Sequence, residues 1–482
     1  MSAYGQLSEH IAEIADLASV EAVLTWDQLV MMPEQGAGER AHASGALAKL
    51  MHERATAPEI GEWLADLDGA ELDDLASDVV RIARRDFERA ARVPDELAAE
   101  RASAAAAGQQ TWQRARAADD FAAFLPALER NIALAREYAG CVAENGQSAY
   151  DALLVDYDYG LTSETVARLF GDLSDELPGL VASAGGAPRP SLDISEQAQR
   201  GAVETTLARL GVERSSWRVD ASAHPFSTAI AWRDSRLTTR YSGPDVESLV
   251  GALHEFGHAL YDRQLAPELE RTNLAAGLSM SVHESQSKLW ENHVARNGAF
   301  AEVIAAAYRE AGANVTAGEY HAVVNHVEAS PIRVSADPAS YPLHIVLRFQ
   351  LEHALIEGDL APAELPEAWR AKMKELLGLD VTSDAQGCMQ DVHWSSGSFG
   401  YFPTYAVGCL IAAQLWESLL ADTGPLDERL RNCEVDGVKA WLGERIHRYG
   451  RRRDTAQLVE DATGRPLSSE SFLSFVRPLA RA

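Results

Sequence analysis

Along most of this chain, apolar residues recur at positions i, i+3 and i+4, the spacing of a helix with one buried face. Residues 72–92 and 123–145 follow this pattern closely. A third stretch, residues 162–177, has Ser163 near its start, as a capped helix should, and we expect Pro178 to stop it. The pattern predicts a mainly α fold.

The helical period is lost between residues 217 and 241, where Thr238, Thr239 and Tyr241 suit β-strands. We therefore expect a few short strands there, and helices again from Pro244 to the C-terminus. The turn-rich stretch 185–190 (GGAPRP) is the best candidate for a linker. Together these features predict one large helical body with a small sheet.

The net charge of this chain of 482 residues disfavours two classes of function. Lys and Arg number 43 and Asp and Glu 72, a formal charge of −29. Binding to nucleic acid or to an anionic membrane is disfavoured, because both depend on cationic side chains. The longest apolar run, residues 405–413, is shorter than the roughly 20 residues of a membrane span. With no secretory signal in residues 1–17 and no disulfide framework among four cysteines, we expect a cytoplasmic protein.

The sharpest chemical signal is the pentapeptide His254-Glu255-Phe256-Gly257-His258, which lies in a stretch with helical apolar spacing that follows Pro244. Residues four apart on a helix lie on one side, so both imidazoles can bind one metal ion. Glu255 is close enough to reach a water on that metal without being a ligand. The pattern also arises by chance, so alone it is only moderately specific.

A third ligand is available in His283-Glu284-Ser285-Gln286, which opens a second helical stretch that ends near residue 297. Two histidines and Glu284 would leave the fourth position of a zinc site open, as catalysis requires. We expect one zinc ion per chain, which cobalt(II) can replace, since both metals accept this ligand set.

The chain resembles the Taq-type thermostable metallocarboxypeptidases, a family of helical zinc peptidases, over nearly its whole length. Two further segments look like this family, Trp26-Asp27 with Met32-Pro33 and Gly400 to Tyr405. Besides the motifs at 254–258 and 283–286, its motifs occur here in sequence order as His224-Pro225-Phe226, Asp234-Ser235-Arg236-Leu237-Thr238, Ile332-Arg333-Val334-Ser335-Ala336-Asp337 and Gly387-Cys388-Met389-Gln390-Asp391-Val392-His393-Trp394.

The resemblance implies a single domain, residues 1–482, in which two groups of helices flank a deep groove with zinc at its floor. Residues 1–190 would form a mostly helical lid region and residues 191–482 the zinc-bearing catalytic region. It also implies a homodimer and a carboxypeptidase that releases C-terminal residues from peptides with broad specificity. It strengthens the assignment of Glu284 as the third ligand.

Peptide hydrolysis needs a base and an oxyanion donor. Glu255 would accept the proton of the attacking water, and His393 or Tyr401 would meet the oxyanion, although either could be a core residue. His224 is either a polar group near the cleft or a turn residue before Pro225. Asp337 is a candidate to orient a ligand histidine through its free ring nitrogen.

An exopeptidase also needs a cation for the terminal carboxylate, and arginine suits it best. Arg348 is our first choice, since it lies four residues after His344, on the same helix face; Arg236 and Arg333 are rivals. Asp391 could orient a ligand histidine like Asp337, or have a local structural role beside His393.

Two other functions remain open at this point. A zinc endo-oligopeptidase on a related helical fold would share the metal and Glu255, but would lack a cation that closes the groove. A metal-stabilised scaffold without activity has no use for Glu255, and structural zinc sites usually fill all four positions with protein ligands.

Overall fold

The computed structural model describes residues 1–184, 189–241, 243 and 245–480. In this part of the chain the fold is mainly α, as predicted, and helices resume after the sheet. The helices are α1 Ala3–Val30, α2 Ala37–Ala55, α3 Pro58–Asp66, α4 Asp74–Ala91, α5 Asp95–Ala118, α6 Phe121–Val142, α7 Ala149–Leu154, α8 Ser163–Ala184, α9 Glu196–Arg209, α10 Glu247–Arg263, α11 Met280–Lys288, α12 Ala301–Glu310, α13 Ala317–Val324, α14 Tyr341–Glu357, α15 Leu365–Leu377, α16 Pro403–Thr423, α17 Asp427–Arg431, α18 Asp436–Arg445, α19 Thr455–Thr463 and α20 Glu470–Leu479.

The helical spacing located correctly the two stretches that follow it most closely. The stretches 72–92 and 123–145 are α4 and α6. The expected stop at Pro178 is wrong, because α8 continues through it to Ala184. Leu177 and Val181 are both buried on one face of α8, and this packing outweighs the hydrogen bond that proline cannot make. Residues 185–188 of the expected linker, and Pro244, lie outside the described residues.

The small sheet expected between residues 217 and 241 is present, with strands β1 Trp217–Ala221, β2 Ser227–Ala231 and β3 Asp234–Thr239. β3 is central; β1 pairs with it in parallel and β2 antiparallel. Side-chain hydrogen bonds join the sheet to its neighbours: the Thr239 hydroxyl donates to the Ser248 carbonyl of α10 at 2.6 Å. The sheet therefore packs directly on α10, the helix that carries the metal motif.

The main hydrophobic core runs from Leu97 to Val476, and α16 lies at its centre, against α11, α14, α19 and α20. By length and composition, α16 is also the one helix of the described residues that could cross a membrane. Buried residues make up 67% of its apolar window, however, which is the burial of a core helix.

A second, smaller core joins α1, α3 and α4 to the loop that follows α10. Leu7, Leu64 and Ile82 pack there with Leu269 and Leu274. By contrast, apolar residues of α5 to α8 belong to the main core. The helices of region 1–190 are thus divided between two hydrophobic cores, and the lid formed by this region stays a prediction.

Candidate metal centre

The helix α10 presents His254, Glu255 and His258 because its other face is anchored in the core. Leu249, Leu253 and Phe256 are buried, and the Phe256 ring packs edge-on against Trp290 with centroids 4.8 Å apart. Gly257 lies where α11 crosses α10: a Cβ there would be 2.4 Å from the Gln286 carbonyl oxygen. Only glycine allows the two helices to approach this closely.

Glu284 projects from α11 toward the two histidines. The Ser279 hydroxyl caps the start of α11 by accepting a hydrogen bond from the Val282 amide at 3.2 Å. On the opposite side, α16 leaves room for the ligand: a Cβ at Gly408 would lie 2.7 Å from both Cβ and Cγ of Glu284. A second glycine therefore sets the position of Glu284.

The three expected ligands meet at one point. Nε2 of His258 lies 3.5 Å, and Nε2 of His254 3.8 Å, from the same oxygen, Oε2 of Glu284. Three ligand atoms, one from each residue, lie within 4.8 Å of one another. Tetrahedral zinc bonds of about 2.0–2.1 Å place ligand atoms about 3.3 Å apart, so these residues fit a metal ion with modest adjustment.

The outer partner of His254 was missed by the sequence analysis. Its Nδ1 lies 2.8 Å from Oε2 of Glu291, which also accepts a hydrogen bond from Lys288 at 2.7 Å. Burial works to raise the pKa of Glu291, but Lys288, His254 and Arg296 hold it well below its usual value. Glu291 lies in a π-helical segment, Leu289–Ala295, that continues α11. The sequence signal that could have identified Glu291 is its position seven residues after Glu284.

The expectation that Asp337 orients a ligand histidine is wrong. Its carboxylate instead accepts hydrogen bonds from the amides of Ala339 at 2.8 Å and Ser340 at 3.1 Å, just before α14. It therefore stabilises the start of that helix. The outer partner of His258 is His283, the first residue of the second motif, at 2.6 Å between the two Nδ1 atoms.

Asp391 does not contact a ligand histidine either, since it lies in a buried ion-pair cluster. It accepts hydrogen bonds from Arg333 Nη2 and Arg348 Nε, each at 2.7 Å. Burial works to raise the pKa of Asp391, but the two guanidinium groups hold it well below its usual value. Arg348 is 0% exposed, so it offers no atom to an incoming substrate, which argues against our first choice for the terminal carboxylate.

Two other expected site residues make their contacts with groups other than the three ligands. Arg236 is committed to Asp234, with Nη2 to Oδ2 at 2.7 Å, and stacks over the Trp26 ring of α1 at 4.5 Å. It thus joins the sheet to the first helix. His224 is exposed in the β1–β2 connection, where its carbonyl accepts a hydrogen bond from Ser222 at 2.6 Å.

His393 and Tyr401 do lie together, with ring centroids 5.4 Å apart. His393 Nε2 contacts the hydroxyl of Tyr405 at 3.2 Å, and its Nδ1 has no hydrogen-bond partner among the described residues. Burial lowers the pKa of His393 to about 4. Burial also raises the pKa of Tyr401, helped by Tyr405 and the charge of Glu284. Both side chains are therefore neutral near pH 7.

The helix α14 fixes the segment that carries this pair. Besides Arg348, which binds Asp391, it carries the buried Glu352. Glu352 accepts hydrogen bonds from Trp394 Nε1 at 2.6 Å and from the Gly400 amide at 2.7 Å. Burial raises the pKa of Glu352 to about 7. The ion pair between Asp391 and Arg348 and the hydrogen bonds of Glu352 thus hold residues 391–400 against α14.

Glu255 has the environment of a general base. Its side chain is buried beside the ligands, and burial raises its pKa to about 7. A carboxylate with a pKa near the working pH can both take and return a proton. A helical body with two histidines, one glutamate and such a base is the arrangement of a metallopeptidase.

Comparisons with known proteins agree. The sequence profile described as carboxypeptidase Taq (M32) metallopeptidase matches residues 6–478. Thermostable carboxypeptidase 1 of Thermus thermophilus is 40% identical over 497 residues, covering 98% of each chain, and carboxypeptidase 1 of Bacillus subtilis is 31% identical. The chain belongs to this family of metallocarboxypeptidases.

Solved structures show the same fold over the whole length. Pyrococcus furiosus carboxypeptidase superposes with a TM-score of 0.96 at 33% identity, covering 100% of this chain and 99% of the other. The M32 carboxypeptidase of Deinococcus radiodurans gives a TM-score of 0.94 at 34% identity, with 100% of both chains covered. The resemblance drawn from the motifs is confirmed.

Proposed function

We propose that this protein is a zinc-dependent carboxypeptidase that removes residues one at a time from peptides with a free C-terminus. The observation that carries the proposal is the convergence of His254, His258 and Glu284 beside the buried Glu255. Three protein ligands with a carboxylate base suit hydrolysis, whereas a purely structural zinc site has four protein ligands and needs no base.

The chemistry that a bound zinc ion supplies is Lewis acidity, which polarises the scissile carbonyl and makes water a stronger acid near neutral pH. Glu255 takes the proton from the attacking water and passes it to the leaving amine. Both steps are proton transfers by one carboxylate, first as general base and then as general acid.

Tyr401 is the better donor to the oxyanion that forms when water attacks the carbonyl. Its phenol is neutral because burial raises its pKa, so it carries a proton that it can donate. His393 is neutral too, and its Nε2 contacts the hydroxyl of Tyr405. We therefore propose that His393 orients the rings of Tyr405 and Tyr401.

Arg333 is the better candidate for the terminal carboxylate. Two guanidinium groups share the single carboxylate of Asp391, which leaves one net positive charge in this cluster. Arg348 is buried behind Asp391, whereas the Arg333 side chain is 9% exposed and lies 5.0 Å from the ring of Tyr405. We propose that Arg333 binds substrate and that Arg348 fixes Asp391.

The test is to digest two peptides of one sequence, one with a free C-terminal carboxylate and one amidated, and to follow products by mass spectrometry. We expect a ladder shortened only from the C-terminus for the free peptide, and slow cleavage of the amidated one. Equal cleavage of both peptides, or cleavage at internal bonds, would favour a zinc endo-oligopeptidase instead.

The remaining expectations stay proposals: a homodimer, a cytoplasmic location, a lid formed by residues of 1–190, and cobalt(II) as a substitute for zinc. Size-exclusion chromatography with light scattering tests the first. Reconstitution of metal-free protein with each ion, followed by peptide digestion, tests the last.

A further inference from the structure

Three side chains form a hydrogen-bonded series that begins at the ligand His258 and continues through His283 to Asp262. His258 Nδ1 lies 2.6 Å from His283 Nδ1, and His283 Nε2 lies 3.1 Å from Oδ1 of Asp262. Asp262 is one turn after His258 on α10, and His283 directly precedes Glu284 on α11. The two helices that supply the three ligands, α10 and α11, therefore supply all three members of this series.

The ring of His283 is held in place by close packing. A Cβ at Gly277 would lie 2.4 Å from Cδ2 of His283, so glycine is needed to leave room for the ring. On another side the ring contacts Tyr261, with centroids 5.2 Å apart. The orientation of His283 is thus set by its surroundings as well as by its hydrogen bonds.

The geometry determines which nitrogen carries each hydrogen. Two Nδ1 atoms at 2.6 Å have room for one hydrogen between them. Nε2 of His258 faces Glu284 and must be unprotonated to bind a metal ion, so its hydrogen is on Nδ1. His283 then accepts this hydrogen bond at Nδ1, and its own hydrogen lies on Nε2 and is donated to Asp262.

We propose that His283 and Asp262 are positioning residues that hold His258 in the tautomer able to bind the metal, and that they thereby set the metal affinity. The inference rests on the metal site of the proposed function. His254 is held differently, because Glu291 accepts from its Nδ1 directly. Without His283, the Nδ1 hydrogen of His258 would lose its acceptor, and the tautomer with hydrogen on Nε2 would compete.

The zinc dissociation constant tests the proposal, measured at neutral pH by competition with a chelating dye. His283→Phe keeps a ring but removes the acceptor, and we expect it to raise the constant roughly 10–100-fold. His283→Asn keeps an oxygen near the position of Nδ1 and should recover part of the affinity. Tyr261→Phe is the matched control: its ring contacts His283, but its hydroxyl accepts a hydrogen bond from the Leu278 amide at 3.0 Å and makes none to His283 or Asp262 among the described residues.

Asp262→Ala provides a second variant at a partly exposed position, should His283→Phe not fold. It should weaken zinc binding less than His283→Phe does, and should shift the visible spectrum of the cobalt(II) form, which reports ligand geometry. Zinc constants within twofold of the parent for both variants, or an equal loss in Tyr261→Phe, would overturn the proposal. If the parent itself bound no zinc, the proposed function would fail instead.

Discussion

The contact between Gly408 and Glu284 allows a sharp test of the metal centre through a residue that touches no metal. In Gly408→Ala, the new Cβ would lie 2.7 Å from two carbon atoms of Glu284. Carbon atoms in ordinary contact are about 3.5–4.0 Å apart, so α16 or Glu284 must move by about 1 Å. A shift of that size far exceeds the roughly 0.2 Å tolerance of a metal–ligand distance.

The expected magnitude follows from two opposing effects. Replacing glycine by alanine inside a helix favours folding by about 0.5–1 kcal/mol, whereas overpacking costs about 1–3 kcal/mol. We therefore expect a net loss of about 1–2 kcal/mol in the free energy of unfolding of the metal-free protein. If about 2 kcal/mol of strain falls on Glu284 in the bound state, the zinc dissociation constant should rise roughly 30-fold.

The assay compares Gly408→Ala with Gly171→Ala, which lies in α8 with nothing within 4 Å of the new methyl group. Zinc affinity is measured by competition with a chelating dye, and stability by urea denaturation of the metal-free proteins. We expect Gly171→Ala to keep the parent affinity and to be slightly more stable. Parent-like zinc affinity in Gly408→Ala would refute either Glu284 as a ligand or this account of its packing.

Three further predictions concern the segment that α14 holds. Asp391→Asn should lower the free energy of unfolding by about 3–5 kcal/mol in urea denaturation, because Arg348 stays buried without a counter-charge. Arg333→Ala should raise the Michaelis constant for peptides with a free C-terminus, at a cost of about 2–5 kcal/mol in transition-state binding, and should scarcely affect amidated peptides. Glu352 has a folded-state pKa of about 7, above the unfolded value of about 4.3, so its contribution to stability is lost as the pH rises between them. The stability deficit of Glu352→Gln relative to the parent should therefore shrink by about 3 kcal/mol over that range, and a constant deficit would contradict the raised pKa.

The two histidine ligands could be predicted from the sequence because their geometry is local. His254 and His258 are one helical turn apart, and a helical period surrounds them. Glu284 needed the resemblance to a family, since nothing local shows which glutamate reaches the site. The sheet could be predicted from the sequence as well, because the helical spacing of apolar residues is lost where β1 to β3 form.

The ion-pair cluster around Asp391 could not be predicted, because it depends on how distant segments of the chain pack together. Asp391 pairs with Arg348, 43 residues earlier in the chain, and no spacing rule connects them. Gly257 and Gly408 have roles that only the approach of α11 reveals. For the same reason Arg348 looked suitable from the sequence, whereas the structure buries it completely.

The central claim is that His254, His258 and Glu284 hold the metal and that Glu255 performs the proton transfer. The most direct measurement determines zinc per chain and peptide turnover together, in Glu255→Gln and in Glu284→Ala. Glu255→Gln should keep one zinc ion per chain while turnover falls roughly 100-fold or more, because the amide cannot accept the proton. Glu284→Ala should lose both zinc and turnover. Full zinc content in Glu284→Ala, or near-normal turnover in Glu255→Gln, would contradict the account.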